Sequence, residues 1–379
     1  MTALYWLLVV CLGAVVFSWV GYPLLILVLA SISSRKVKGS ERSADPFVSI
    51  IIPVHNEEQK IAAKLRDYLE LLYPHDRMEI LVVSDWSTDR TEEIVREFIA
   101  GDSRIRWIES DGRVGKSGAQ NLAAAQARGD IFFFTDADTT LPAGVLRTMT
   151  DDFADPTVGL VTATVNFGRP QDAVEKGQGF YWRYELLLRG LESDLGILAT
   201  GSGSALAGRR ELFRPLPPFY GDDCIMPLDV RLQGFKVIQN REATVFDAMP
   251  HSIEGELRAR IRMTARNWAG TLARPAILNP LRFPLTALGL VSHKLLRWLT
   301  PFFLTVVFLS NAMLALEGRL VILWWLQVGF YFSAFVGWEL TRKQRRAWVF
   351  GYPFSFCLAN VGFFLGMVKA FRNQKIVAY

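Results

Sequence analysis

Two aspartates, Asp136 and Asp138, close an apolar run, Ile131-Phe132-Phe133-Phe134-Thr135. A bounded run of this kind reads as a fully buried strand. In open α/β sheets ligands bind beyond the carboxyl ends of strands, so the pair stands where a ligand would be held. Carboxylates offset by one residue are hard oxygen donors for Mg2+ or Mn2+, a cation usually shared with substrate phosphates. The other reading is a solvated turn after a core strand, because Asp-x-Asp alone is a weak motif.

Further polar groups fall at comparable places. Asp85 follows Met78-Glu79-Ile80-Leu81-Val82-Val83, and there a carboxylate can accept hydrogen bonds from a base or ribose, or else cap the next helix. Val54-His55-Asn56-Glu57-Glu58 ends the strand Phe47 to Pro53. The loop Gly112-Arg113-Val114-Gly115-Lys116-Ser117 is not a P-loop, since that motif needs glycine where Ser110 stands. Opening a helix, it can still offer backbone amides and Lys116 to a diphosphate.

The elements around these residues alternate. Helical spacing runs from Gln59 to Leu72, Thr91 to Ala100 and Ser117 to Ala127, with Ser87, Thr88 or Asp89 able to cap the second helix. Between them lie the strands above and the short Ile105-Arg106-Trp107-Ile108. Strand and helix in turn predict a doubly wound, mostly parallel α/β sheet. Phe180 to Leu195 reads as a helix against the sheet or the membrane, and Gly234 to Ile238 as a late strand.

This soluble pattern covers residues 46–251, yet the whole chain is apolar. Of 379 residues, 51% are hydrophobic and 21% charged, and the mean hydropathy is +0.21, which points to a membrane protein. Residues 1–34 carry no charge and are followed by Arg35, Lys36, Lys38 and Arg42, which predicts a retained transmembrane anchor with a cytoplasmic domain after it. Gly21-Tyr22-Pro23 is expected to kink it. Residues 252–292, rich in arginine, read as amphipathic interfacial helices. Residues 293–379 hold three charge-free spans, Trp298 to Leu316, Leu320 to Trp338 and Ala347 to Val368, separated in part by the basic loop 341–346. A full last crossing puts Lys369, Arg372 and Lys375 outside, against the positive-inside rule, unless the span with Gly351-Tyr352-Pro353 is re-entrant. The net charge of +5 without basic–aromatic interleaving argues against nucleic acid as a partner. Three scattered cysteines, Cys11, Cys224 and Cys357, suggest neither a disulfide framework nor a zinc site.

VSIIIPVHNEE (48–58), SDWSTDRT (84–91), GKSGAQN (115–121), TDAD (135–138) and GDD (221–223) occur in the order and spacing of family 2 glycosyltransferases. The chain resembles the membrane-integrated branch with cellulose, hyaluronan and poly-N-acetylglucosamine synthases. The resemblance implies a GT-A fold and a metal-dependent, inverting transfer. It implies that Asp85 meets the nucleotide base with Pro53 and Glu57 lining the same pocket, that Lys116 and Asn121 belong to the donor site, and that Asp138 is the closer metal ligand of the Asp136/Asp138 pair. It gives Asp223 the role of general base beside Asp222, with Gly201 and Ser202 on the acceptor side. Processive members carry a Gln/Arg-x-x-Arg-Trp signature. Here Arg262-Met263-Thr264-Ala265-Arg266-Asn267-Trp268 has Asn267 inserted, which puts processivity in doubt. Arg262 and Arg266 could clamp a diphosphate and Trp268 could stack on an acceptor sugar, or the segment is a basic interfacial helix with an aromatic anchor.

The expected protein is therefore an integral enzyme of a bacterial-type inner membrane with its catalytic domain cytoplasmic. It would move a sugar from a nucleotide-diphosphate donor, first of all a UDP-sugar, to a glycan or lipid-linked acceptor, with Mg2+ or Mn2+. Membrane lipids, and an oligomer or partner subunits, are the further expected contacts. The alternative is a nucleotide-sugar-binding membrane subunit without turnover.

Overall fold

The structure is a computed structural model that describes residues 2–33, 45–167, 173–218, 220–247, 252–343, 345 and 347–372, with backbone alone for 173–180 and 348. The expected basic cluster Arg35, Lys36, Lys38 and Arg42, and likewise Gln344, Arg346 and Lys375, lie outside the described residues.

Helix α1 (Thr2–Ile32) is long and apolar enough to cross a membrane. A π turn at Phe17–Gly21 interrupts it one residue before Tyr22-Pro23, where a break was expected. Next comes β1 (Val48–Val54), buried at every position, as is β2 (Met78–Ser84) beyond α2 (Ile61–Leu69). Both strands are rich in Val, Ile and Leu because helices cover both faces of the sheet. Glu79 is the exception inside β2. Its carboxylate accepts from Ser49 Oγ at 2.7 Å, the Arg128 amide at 2.7 Å and Arg106 at 3.0 Å. Burial alone would push Glu79 up; these donors hold it below the usual carboxylate range.

The chain continues through α3 (Thr91–Gly101), β3 (Ile105–Glu109), α4 (Gly115–Gln126) and β4 (Ile131–Thr135). After α5 (Val145–Asp151) come β5 (Val158–Asn166), α6 (Ala173–Asp194), β6 (Ala205–Arg209), α7 (Asp222–Leu232) and β7 (Lys236–Phe246). The seven strands lie in the order β3-β2-β1-β4-β6-β5-β7. All neighbouring pairs are parallel except those of β6, which runs antiparallel to β4 and β5. This is the mostly parallel α/β sheet that the alternation predicts.

β5 and β6 are additions to the predicted set, and β7 runs well past Ile238. Ala-Leu-Ala-Gly-Arg has little intrinsic strand preference, and its neighbours supply the burial that makes it β6. β7 is broken by a bulge: Ala163 pairs with Asn240 but Thr164 with Thr244. Asn240 Oδ1 closes the bulge by accepting the amides of Glu242 and Ala243 at 2.9 and 2.8 Å. The antiparallel β6 matters for the site. Thr135 pairs with Ala205, so the segment entering β6 meets the end of β4 and the aspartates that follow it.

Beyond the sheet, α8 (Ile253–Leu272) begins with Ser252 Oγ accepting the Gly255 amide at 3.0 Å. Among the described residues α9 (Pro284–Leu316), α10 (Val321–Arg342) and α11 (Gly351–Phe371) make, with α1, four helices long and apolar enough to span a membrane. α9 starts before residue 293, so part of the stretch expected to be interfacial belongs to a spanning helix, with a π turn at Leu290–Leu295. α8 lies along α11, where a Cβ on Gly366 would come within 2.7 Å of Thr264. α11 is one unbroken helix with Pro353 in its first turn, where a missing N–H is harmless. The stretch Gly351-Tyr352-Pro353 thus opens a single continuous helix.

Candidate active site

At the end of β4 Asp138 is exposed and Asp136 is partly buried. Lys116, in the first turn of α4, places Nζ 2.6 Å from Asp136 Oδ1 and 3.0 Å from Asp222 Oδ2. One turn further on, Gln120 donates to Asp222 Oδ2 at 2.7 Å. Two acidic pairs, whose members Asp136 and Asp222 are 86 residues apart in sequence, are thereby joined through one face of α4, since residues four apart share a helix face.

Asp222 and Asp223 open α7, where the helix dipole favours anions. Their environments differ. Burial pushes Asp222 up, but the Lys116 charge and the Gln120 hydrogen bond win and hold it below the usual range. Burial, then the neighbouring Asp222, push Asp223 above that range, against the charges of Arg266, Lys116 and Arg189. Among the described residues none donates a hydrogen bond to the Asp223 carboxylate. Gly221 leaves it room: a Cβ there would sit 2.2 Å from Asp223 Oδ1. Asp136 is likewise pushed up, by burial first, with Lys116 opposing and Asp222 and Asp138 adding to the rise. Burial pushes Lys116 down, but the two aspartates hold it well above its ordinary value.

Asp85, expected to meet a base, fastens a loop. Its Oδ1 accepts the amides of Val114 and Gly115 at 2.6 and 2.9 Å, and Arg113 Nε lies 3.2 Å from Oδ2. Two amides of the loop that could have met a diphosphate are therefore engaged. Of the residues expected to cap α3, Asp89 comes nearest: its Oδ1 accepts the Thr91 amide at 3.1 Å, while the cap position itself is Arg90. Pro53 sits within β1 opposite Val83, and the Glu57 amide donates to Thr91 Oγ1 at 2.8 Å. Burial raises the Glu57 carboxyl, with Lys60 opposing and Asp138 adding to the rise.

On the far side Gly203 packs beside Asp136 Oδ2, Lys116 Nζ and Asp222 Oδ1, with its Cβ position 3.6 to 3.8 Å from them. Gly201 N donates to the Asp223 carbonyl at 2.7 Å, and Ser202 N to Thr162 Oγ1 at 2.9 Å. Arg266 hydrogen-bonds the Tyr220 carbonyl at 2.8 Å, beside Asp223, whereas Arg262 is exposed a turn away. Two expected residues point elsewhere. Asn121 gives both ends of its amide to Leu216, at 2.9 and 2.7 Å, and so clips a loop to α4. Trp268 packs edge-on against Trp298 and Phe371, at 6.2 and 5.8 Å between ring centres. The inserted Asn267 turns it about 100° round the helix, toward the apolar helices α9 and α11.

Lys64 and Gln120 belong to the site and were not anticipated. Lys64 is buried under the β4 turn; it donates to the Thr139 carbonyl and, at 3.4 Å, to Thr135 Oγ1. Burial lowers it to about 8, against the pull of Asp136 and Asp138. A legible signal existed, because Lys64 shares the stripe of Ile61, Leu65 and Tyr68.

Among the described residues no three or more His, Cys, Asp or Glu form a closed metal site. Asp136 and Asp138 offer an all-oxygen, open set, which suits a hard divalent cation that fills its shell with phosphate and water. The upward push that Asp138 and Asp222 exert on Asp136 is the repulsion such a cation would relieve.

The chain is similar to known proteins over part or nearly all of its length. Residues 49–216 match the model for glycosyl transferase family 2. A beta-monoglucosyldiacylglycerol synthase of Synechocystis is 31% identical over 154 residues, 38% of this chain and 32% of that protein. An N-acetylglucosaminyltransferase of Rhizobium meliloti is 27% identical over 249 residues, 62% of this chain and 57% of that protein. The chain thus spans between a third and three fifths of the length of these relatives. A mannosyltransferase from Pyrobaculum calidifontis, solved with GDP-Man and Mn2+, shares the fold over 97% of this chain and 99% of its own, with a TM-score of 0.74 and 24% identity.

Proposed function

We propose that this chain, whose residues 49–216 match the glycosyl transferase family 2 model, is a membrane-bound, inverting glycosyltransferase that moves a sugar from a nucleoside-diphosphate donor, UDP-linked in the first instance, to a glycan or lipid-linked acceptor. The observation that carries this reading is the Asp223 carboxylate, raised by burial and Asp222 and without a hydrogen-bond donor of its own among the described residues. Such a group is free to take a proton.

Inversion needs the acceptor oxygen to attack the anomeric carbon opposite the leaving diphosphate. Asp223 takes the acceptor hydroxyl's proton as the new C–O bond forms and the bond to the diphosphate breaks. Asp222 stays ionised under Lys116 and Gln120 and keeps Asp223 basic. Lys116, between both acidic pairs, is placed to trade a carboxylate for a diphosphate oxygen, with Arg266 as a second cation. Asp136 and Asp138 would hold Mg2+ or Mn2+, which when bound supplies charge neutralisation of the leaving diphosphate. The four apolar helices support a membrane location, and the basic loop 341–346 supports a cytoplasmic face for the sheet domain.

The test is to supply membranes containing the protein with a panel of nucleotide sugars and Mn2+ or Mg2+, follow which is consumed and size the product. Metal-dependent consumption with a glycosylated product supports the reading. Binding of a nucleotide sugar without product under any acceptor points to a subunit without turnover.

A further inference from the structure

α6 carries a charged face that the chemistry above does not use. Glu185, Arg189 and Glu192 follow at four- and three-residue spacing, so they form one stripe, and all three are buried. Buried charges require partners. The two glutamates find theirs in and just after the π turn of α9: His293 lies 2.7 Å from Glu192 Oε1 and 2.9 Å from Glu185 Oε2, Lys294 pairs with Glu185, and Arg297 reaches Glu185 at 3.0 Å. From α1, Tyr22 donates to Glu192 at 2.7 Å.

Arg189, on the same stripe, bonds to the sheet. It is 3% exposed, one guanidinium nitrogen is 3.5 Å from Thr162 Oγ1, and its Nε has no hydrogen-bond partner among the described residues. The same Thr162 oxygen accepts the Ser202 amide at 2.9 Å, and the adjacent Gly201 amide donates to the Asp223 carbonyl at 2.7 Å. A short chain of contacts thus leads from the junction with the spanning helices to the first turn of α7.

We infer that Arg189 is a positioning residue for Asp223: anchored on the stripe that meets α1 and α9, it fixes the entry of α7 through Thr162 and the Gly201–Ser202 amides, and places a buried cation behind the carboxylate. This rests on the reading of Asp223 as the base. The charged or titratable groups around Asp223 are Asp222 and Cys224 on its own helix, Arg266 on α8, Lys116 on α4 and Arg189 on α6. Of these, Arg189 alone ties the carboxylate to the membrane junction.

The test uses the full chain in detergent, with thermal unfolding as the check on folding. Removing a nearby cation disfavours a carboxylate, so Arg189→Met moves the acid limb of kcat/KM upward by about half a unit or more. Arg189→Lys keeps the limb at the parent's position. Thr162→Val keeps the charge but cuts the link, so kcat falls several-fold with the limb unmoved. An unmoved limb in Arg189→Met, or a lysine variant that moves as methionine does, overturns the inference. If Arg189→Met does not fold, Thr162→Val decides, and a parental kcat there overturns it. Asp223→Asn is run alongside. Activity in that variant sinks the base itself, whereas an inactive Asp223→Asn with an unmoved Arg189→Met sinks only the role of Arg189.

Discussion

The two acidic pairs hold the same functional group and live in opposite surroundings. At the end of β4 the aspartates are spaced by one residue and open outward, Asp138 exposed and Asp136 tied to Lys116. At the start of α7 they are adjacent, and one is locked by Lys116 and Gln120 while the other lacks a donor among the described residues. Environment divides carboxylates into roles. An open pair on a strand end suits a cation shared with a ligand, and a half-locked pair on a helix start suits proton transfer. Lys116 is the hinge between them, so events at one pair are felt at the other.

The division can be broken at several points. The largest effect is expected for Asp223→Asn, which should lower transfer about a thousandfold by removing the base, measured as labelled product formed in membranes. Asp138→Asn should cost about a hundredfold at limiting metal and recover in part as Mn2+ is raised, a rescue that Asp223→Asn must not show. Gly221→Ala pushes a methyl against Asp223 Oδ1, 2.2 Å away, and should lower kcat about tenfold with donor affinity kept. A gentler probe is pH. Asp223 is raised, and a base works deprotonated, so kcat/KM should fall as pH drops through a value above about 3.9, the ordinary aspartate range. Smallest in activity is Asn121→Ala, which should lose about 1–3 kcal/mol of stability by unclipping Leu216 and leave donor affinity unchanged. A large loss of donor affinity there would return Asn121 to the site.

Much of this frame is legible in the residues. β1, β2 and β4 announce themselves because a strand buried on both faces must be almost wholly apolar, and the polar groups ending them then stand out. β6 was silent, since Ala and Gly acquire strand geometry only from the neighbours that bury them. The motifs brought Lys116, Asp136, Asp222 and Asp223 to one place, but spacing could not say which way a side chain turns. Asn121 and Trp268 sit near the site in sequence and spend their contacts on Leu216 and on Trp298 and Phe371. Lys64, Gln120 and Arg189 were missed for the converse reason. Each is a polar residue on an otherwise buried helix face, and its partner lies on a distant strand or helix that sequence order does not reveal.

The central claim is that the β4 pair holds the donor and the α7 pair does the chemistry. It is tested most directly by titrating the nucleoside diphosphate of the preferred donor, with Mn2+, into Asp138→Asn and Asp223→Asn side by side. Mn2+-dependent binding is expected to weaken at least tenfold in Asp138→Asn and to stay at the parent's level in Asp223→Asn. Unchanged binding in the first, or its loss in the second, would contradict it.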